Sequence, residues 1–258
     1  MAIYFKYFKN HLKSTLQYKV SFILTCISQI FIFFSYYFVI LSLFDKFNNI
    51  KGFTLYEVLL TFGIIQFGYS FNETFARGID QFDKQIILGT FDRILLRPRN
   101  VLIQAIAEEI DLVKLMRILQ SVIVIFIALF NLDIYWSIYK VITLVLMLLS
   151  SITIFFGIFL LAASYCFITV QGLEVRNTFT DGGKHMAQYP IGIFKKGFVI
   201  FFTVVIPYAF VNYYPLLYFV GKSNNILYCF SPLIVFIYLI PCLYLFKLGM
   251  KRYASTGS

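Results

Sequence analysis

The sequence predicts an all-α integral membrane protein with six transmembrane helices, and three observations support this fold class. First, 60% of the 258 residues are hydrophobic and only 13% are charged, whereas a soluble domain averages roughly 25% charged residues. Second, the apolar residues lie in runs of about 20, the length that a helix needs to cross a bilayer. Third, more than half of the 22 Lys and Arg residues lie at three places that alternating crossings would put on one side.

These three basic groups indicate the orientation of the chain. Four lysines precede the first span, a second group lies between Arg77 and Arg117, and three basic residues follow the last span. Because Lys and Arg are retained on the cytoplasmic side, both termini are predicted to be cytoplasmic in a multi-pass protein of the plasma membrane. The net charge of +10 therefore reflects topology and contact with anionic lipid, and no nucleic-acid partner is expected.

The chain is predicted to form a single transmembrane domain, 1–258. Residues 1–19 alternate apolar and lysine residues at helical spacing, which is typical of an interfacial amphipathic helix. The first span covers 21–44 and the second 53–75. A charged segment, 77–114, follows as the main cytoplasmic loop. The third span covers 115–132 and the fourth 138–167, while the last covers 226–245 and ends in a basic tail.

Two topologies fit the stretch between the fourth and the last span. In the first, 169–196 is a cytoplasmic loop and 197–220 is the fifth span. In the second, 169–189 is a polar span enclosed by protein, and 197–220 is a re-entrant hairpin that enters from outside. Pro207 and Pro215 supply the break that a hairpin needs, whereas Lys195 and Lys196 favour the first topology by the charge rule.

Catalytic and metal sites are not expected. The four cysteines are far apart, so they are interpreted as small buried hydrophobic residues, and the two histidines lack partners at ligand spacing. Gly221-Lys222-Ser223 lacks the earlier glycine of a phosphate loop. We therefore expect no cofactor in this chain.

Ionisable residues near the membrane deserve a separate interpretation, because charges in a bilayer usually face a bundle interior or a partner. Glu73 and Arg77 are four residues apart, so they are predicted to pair at the membrane edge, with Glu73 also a candidate pathway residue. Arg117 is expected to extend toward the lipid headgroups. Glu57 is expected to be solvated at the outer interface.

One segment after the second span, Gly89-Thr90-Phe91-Asp92-Arg93-Ile94-Leu95-Leu96-Arg97-Pro98-Arg99-Asn100, resembles permeases of the ABC type-2 export family. The later runs Gln188-Tyr189-Pro190 and Ile206-Pro207-Tyr208-Ala209-Phe210-Val211-Asn212-Tyr213-Tyr214-Pro215 are similar to a prokaryotic branch of that family. Together with the six-span layout, the likeness covers nearly the whole chain.

The resemblance implies a permease that pairs with a second permease chain and with a dimer of separate ATP-binding-cassette subunits, which bind ATP and Mg. It also implies that the loop after the second span carries a cytoplasmic coupling helix, and it favours the re-entrant topology. The implied ATPase interface comprises Phe91, Asp92, Arg93, Leu95, Leu96, Arg97 and Pro98. Phe91, Ile94 and Leu95 would form its apolar ridge, within a charged rim. The hairpin residues Pro207, Asn212, Tyr213 and Pro215 are candidates for a gate.

The predicted function is therefore outward transport of a hydrophobic or amphipathic substrate, driven by ATP hydrolysed in a separate subunit. Importers of the ABC class carry a loop reading roughly E-A-A-x-x-x-G, and the acidic run Glu108-Glu109-Ile110-Asp111 departs from it, which favours export. The alternatives are a non-transporting anchor or sensor subunit of a resistance or signalling complex, and an ion-coupled carrier. The carrier lacks support because paired intramembrane acids and internal repeats are not detected.

Overall fold

The computed structural model describes residues 2–47, 49–169 and 177–254. Within these ranges every regular element is helical, apart from an isolated antiparallel bridge between Ile50 and Phe53. The α-helices are α1 (Ala2–Gln17), α2 (Lys19–Lys46), α3 (Leu55–Phe75), α4 (Arg77–Asp80), α5 (Phe82–Ile87), α6 (Thr90–Leu95), α7 (Val101–Ala107), α8 (Leu115–Asn131), α9 (Ile138–Cys166), α10 (Gly183–Ala187), α11 (Lys196–Val204), α12 (Ala209–Asn212), α13 (Tyr214–Phe219), α14 (Leu227–Phe230) and α15 (Leu233–Arg252). Short 3-10 turns occupy Leu112–Lys114 and Ile191–Ile193, and a π-helical turn occupies Thr178–Gly182.

Four helical stretches in the described ranges are long and apolar enough to cross a membrane. They are α2, Leu112–Asn131, α9 and Leu227–Arg252. A fifth is obtained if α11 and the segment Ala209–Phe219, which are bent by 95° relative to each other, are taken as one crossing. The six predicted spans are therefore not all recovered by length and composition. The predicted second span forms α3, which carries polar residues along its length and is not in this set.

Helix α3 lies at the centre of the bundle, packed between α8 and α9. Two glycines allow this packing: a Cβ at Gly63 would lie 2.6 Å from the Ile125 side chain, and one at Gly68 would lie 2.4 Å from the Ser151 backbone. Small residues allow such close helix approach in membrane proteins. The Asn72 amide donates to a carbonyl of its own helix and, at 2.8 Å, to the carbonyl of Ile152 in α9. A polar helix is stable here because its neighbours satisfy its polar groups.

Helix α1 is docked on the chain that follows α3. The Tyr4 hydroxyl donates to the Phe75 carbonyl at 2.8 Å, and the His11 ring contacts the Glu108 carbonyl at 3.1 Å. Burial raises the pKa of Tyr4 to about 12, so this phenol stays neutral and keeps its donor proton. The opposite face of α1 is exposed and carries three lysines with Phe5, Leu12 and Leu16. Residues Ala2–Gln17 of the predicted segment 1–19 are therefore helical, with a mixed apolar and basic surface, and the interfacial position of this helix stays a prediction.

The segment from Ile191 to Lys222 doubles back on itself. A Cβ at Gly192, near its start, would lie 2.2 Å from the Tyr213 ring, which in turn lies 6.3 Å from the Phe53 ring. At its end, the Lys222 amine donates to the Gly52 carbonyl at 2.6 Å. Both ends of the segment therefore lie at the N-terminal end of α3.

The turn of this doubled segment packs near the middle of α9. Tyr208 is fully buried there, and its ring lies 5.7 Å from the rings of both Phe155 and Phe202. A helix pair bent in this way is compatible with both predicted topologies, as a broken fifth span or as a re-entrant hairpin. Residues 170–176, which form part of the polar stretch predicted at 169–189, lie outside the described residues.

Candidate functional site

The segment that resembles a coupling helix forms a short helical hairpin. Helices α5 and α6 pack together and are joined through Gly89, which has φ = +63°. This left-handed conformation favours glycine, because other residues would strain there. The hairpin therefore presents α6 and the residues after it, up to Pro98, at the surface of the chain.

The apolar residues of this segment divide into a buried and an exposed set. Phe91 and Ile94 are inside the chain, at 0% and 1% exposure, whereas Leu95 is 39% and Leu96 85% exposed. The expectation that Phe91 and Ile94 offer an exposed ridge is therefore wrong, because both side chains pack on their own chain. Leu95 and Leu96, together with the exposed Ile87 and Leu88, make up the exposed apolar surface, which we call the leucine ridge.

The other residues predicted for the same interface are neighbours of this ridge in the sequence. Arg93, Arg97 and Pro98 are exposed, and Asp92 is half-buried. The Arg97 guanidinium donates to the Tyr7 hydroxyl of α1 at 2.8 Å. Arg93 and Arg97 therefore place exposed positive charge beside the leucine ridge, and its role as an interface stays a prediction.

Phe91 belongs to an aromatic cluster that joins α5 and α6 to distant helices. Its ring lies 4.9 Å from Phe82, 5.5 Å from Phe167 and 5.2 Å from Tyr253. Phe246 of α15 completes the cluster, 5.5 Å from Phe167. Such ring pairs add stability beyond their buried area. The aromatic cluster connects α6 to the end of α9, to α15 and to the chain after α15.

A polar cavity of about 320 Å³ lies between α2, α3 and residues 177–185. One wall is formed by Ile32, Phe33 and Tyr36 of α2. The other walls carry most of the ionisable side chains, which come from α3, α4, the start of α8 and the segment around α10. These are Glu73, Arg77, Asp80, Lys114, Arg117, Asp181, Lys184 and His185.

Glu73 is the centre of an ion-pair network in this cavity. Its carboxylate lies 2.9 Å from Arg117, and Arg77 and Lys114 each lie 3.6 Å away. Arg77 also contacts Asp80. Glu73 has a side-chain exposure of only 5%, so these partners offset much of the cost of burying its charge.

A second group of charges comes from the polar stretch before the hairpin. Lys184 lies 3.1 Å from Asp181 and 4.0 Å from the centre of the Tyr69 ring. The Tyr69 hydroxyl donates to Asp181 at 2.8 Å. Nearby, the Gln188 amide donates to Gln66 at 3.2 Å. These contacts hold the described part of the polar stretch alongside α3.

The structure confirms one of the predicted charge contacts and corrects two others. Glu73 and Arg77 do pair, although α3 ends between them at Phe75. Arg117 points to Glu73 inside the protein and not toward the lipid headgroups, because a buried carboxylate is the stronger partner. Glu57 is not solvated: it is 5% exposed and pairs with Lys222. Asp181 and Lys184 were not predicted as site residues, although the unusual polarity of 169–196 was a signal.

The predicted gate residues lie together in the doubled segment, apart from Glu73. Asn212 is fully buried, and its amide donates to the carbonyls of Ala187 and, at 3.1 Å, Tyr189. Pro215 lies in the first turn of α13, where proline is well tolerated, and Pro207 lies at the turn of the segment. Neither these residues nor Tyr213 line the charged cavity.

Within the described ranges, all four cysteines are buried and free, and no group of three His, Cys, Asp or Glu residues could hold a metal ion. The buried cysteines agree with their interpretation as small core residues.

Comparison with known proteins gives one result. A family model described as ABC-2 family transporter protein matches residues 5–257. Neither curated proteins nor solved structures give a significant match. This family is one of permeases and not of catalytic domains. Because the family model covers nearly the whole chain, the chain belongs to the ABC-2 family of transporter membrane proteins.

Proposed function

We propose that this chain is the permease subunit of an exporter that moves a hydrophobic or amphipathic substrate outward across the plasma membrane. The energy comes from ATP that a separate ATP-binding-cassette subunit binds with Mg and hydrolyses. Family membership supports transport, and the leucine ridge supports docking of another protein, since exposed apolar groups inside a polar rim are typical of interfaces.

The leucine ridge is the surface on which we expect the ATPase subunit to bind. Ile87, Leu88, Leu95 and Leu96 enter its groove, while Arg93 and Arg97 lie at the rim. Movement of the bound subunit then reaches α9 and α15 through the aromatic cluster, because Phe91 is packed between them. Two permease chains and two ATPase subunits complete the transporter, with the substrate path between the permeases.

The proposed topology has six crossings and both termini in the cytoplasm. α2, α3, α8, α9 and α15 provide five, and the polar stretch ending at Tyr189 provides the sixth, enclosed beside α3. The segment α11–α13 is a re-entrant hairpin that enters from outside. Its two ends lie at the same end of α3. Residues 206–209 at its turn are buried, as irregular backbone at membrane depth requires.

Docking is tested with a substitution at the most exposed leucine. Leu96→Asp removes no internal contact, since this side chain is 85% exposed, but it puts a charge into the interface. Loss of one buried leucine costs roughly 1.5–3 kcal/mol, so the affinity for the ATPase should fall about 10- to 100-fold. The measurement is co-purification of an ATP-binding-cassette subunit co-expressed with this chain, followed by its ATP hydrolysis.

Ser14→Asp is the matched control, because Ser14 is exposed on α1 and receives the same charge. We expect this variant to retain the ATPase. If Leu96→Asp also retains an active ATPase, the leucine ridge is not the docking surface.

A further inference from the structure

The charged cavity has more positive than negative groups. Among the described residues that line it, the cations are Arg77, Lys114, Arg117 and Lys184, and the carboxylates are Glu73, Asp80 and Asp181. His185 lines it as well. The described residues that line the cavity therefore carry one more positive than negative charge, and Glu109 and Asp111 are further carboxylates that act on Arg77 from outside the lining.

Glu73 alone cannot balance the cations around it. Arg117, Arg77 and Lys114 all lie within 3.6 Å of its carboxylate. Within the described part of the chain, Glu73 is the ion-pair partner of both Lys114 and Arg117. Lys184 faces the same space with a side-chain exposure of 6%. Buried charges are stable when they are paired, so an anion that enters this cavity would be favourable.

The remaining wall of the cavity indicates the kind of molecule to which this anionic group belongs. Ile32, Phe33 and Tyr36 of α2 line it, and Ile32 and Tyr36 are also 41% and 38% exposed. The apolar surface of α2 is thus continuous from the cavity to the outside of the bundle. A volume of about 320 Å³ is at the low end of small-molecule pockets, roughly 300–1,000 Å³, which suits a polar headgroup more than a hydrocarbon chain.

We propose that the cavity binds the anionic headgroup, phosphate or carboxylate, of an amphiphile whose hydrocarbon part lies along α2. This inference rests on the proposed transport function, for which it names the substrate class. Arg117, Lys114 and Lys184 contact the headgroup. The cavity lies beside the C-terminal half of α3, next to the charged loop 77–114. In the proposed topology the headgroup is therefore taken up at the level of the cytoplasmic leaflet.

The proposal predicts substitutions with opposite effects. Glu73 competes with the ligand for the same cations, so Glu73→Gln should tighten binding several-fold. Lys184→Met removes a cation and should weaken it roughly tenfold, as expected for a hydrogen bond between charged groups. A variant that simply misfolds can only lose binding, so tightening by Glu73→Gln separates the proposal from a structural role of the network.

The experiment titrates the purified full-length chain with dioleoyl phosphatidylglycerol and counts bound lipids by native mass spectrometry. Dioleoyl phosphatidylcholine and glycerol 1-phosphate serve as the comparison ligands, one without net charge and one without hydrocarbon. The control variant, Lys9→Met with Lys13→Met, removes two exposed cations from α1 that attract anionic lipid without a pocket. We expect saturable binding of phosphatidylglycerol, unchanged in the control variant, with the other two ligands bound at least tenfold more weakly.

Several results would overturn the proposal. Equal binding of phosphatidylcholine would exclude selection by charge, and equal binding of glycerol 1-phosphate would make the site one for a free anion. Weaker binding by Glu73→Gln would make the network structural, and an equal loss in the control variant would place the lipid on α1. If phosphatidylglycerol binds but does not stimulate ATP hydrolysis by the assembled complex, the substrate assignment fails. Lipid binding needs no ATPase, so its outcome is independent of the Leu96→Asp test of the proposed function.

Discussion

Replacing Phe91 with Ala should release helix α6 from the rest of the protein. The helix has six residues, which is too short to be stable without tertiary packing. Phe91 supplies that packing, since it is fully buried and contacts three other aromatic rings within 5.5 Å. Removing a buried Phe side chain costs about 3–5 kcal/mol, which increases local opening about 100-fold or more.

Hydrogen exchange of the backbone amides measures this opening, because local unfolding exposes them to solvent. In Phe91→Ala the amides of α6 and the Leu96 amide, which donates to Asp92 at 3.3 Å, should lose about 100-fold of their protection or reach the unprotected limit. Phe91→Leu keeps most of the side-chain volume, so the protection of these amides should fall by roughly tenfold at most.

The matched control is Leu96→Ala, since Leu96 follows α6 directly and is 85% exposed. Like Phe91→Ala, it removes a large apolar side chain, but it removes no internal contacts. The protection of the α6 amides should therefore change by less than about threefold. If Leu96→Ala loosens α6 as much as Phe91→Ala does, or if Phe91→Ala leaves protection unchanged, the anchoring role of the aromatic cluster is refuted.

Two further predictions concern the doubled segment Ile191–Lys222. Asn212→Ala removes an amide that donates to two carbonyls and should destabilise the chain by about 1–3 kcal/mol. Asn212→Asp should destabilise the chain more, because it turns a buried carboxylate toward those carbonyls. An Asp variant with the same melting temperature as the wild type in detergent would contradict this contact. A single cysteine at Lys196, in a background without the four native cysteines, should react with an impermeant maleimide from outside. Labelling only after permeabilisation would support the first topology, in which 169–196 is a cytoplasmic loop.

The helices themselves could be predicted from the sequence, because apolar runs and prolines are local signals. The span predicted at 115–132 is helix Leu115–Asn131, and the one at 138–167 is Ile138–Cys166. The break at Pro207 was also predictable, since proline removes a backbone donor wherever it occurs. The prediction of the last span was less accurate, because its main helix is Leu233–Arg252 and extends past the predicted end at 245.

The candidate sites needed the tertiary structure. The sequence pattern identifies Phe91 and Leu96 as apolar residues of one segment, but it does not indicate that Phe91 packs on Tyr253 while Leu96 stays exposed. Likewise, Asp181 meets Tyr69 across a separation of 112 residues.

What the sequence by itself determined is the class of the protein, its helical segments and its likeness to ABC-2 permeases, which the family model confirms. Only the tertiary structure decided which apolar residues remain available to a partner and which charges share the cavity around Glu73. The physical reason is that composition and periodicity are properties of a segment, whereas burial and ion pairing are properties of pairs of residues. Glu73 is paired with Arg117 because α3 and the start of α8 lie side by side, and no local pattern specifies that neighbour.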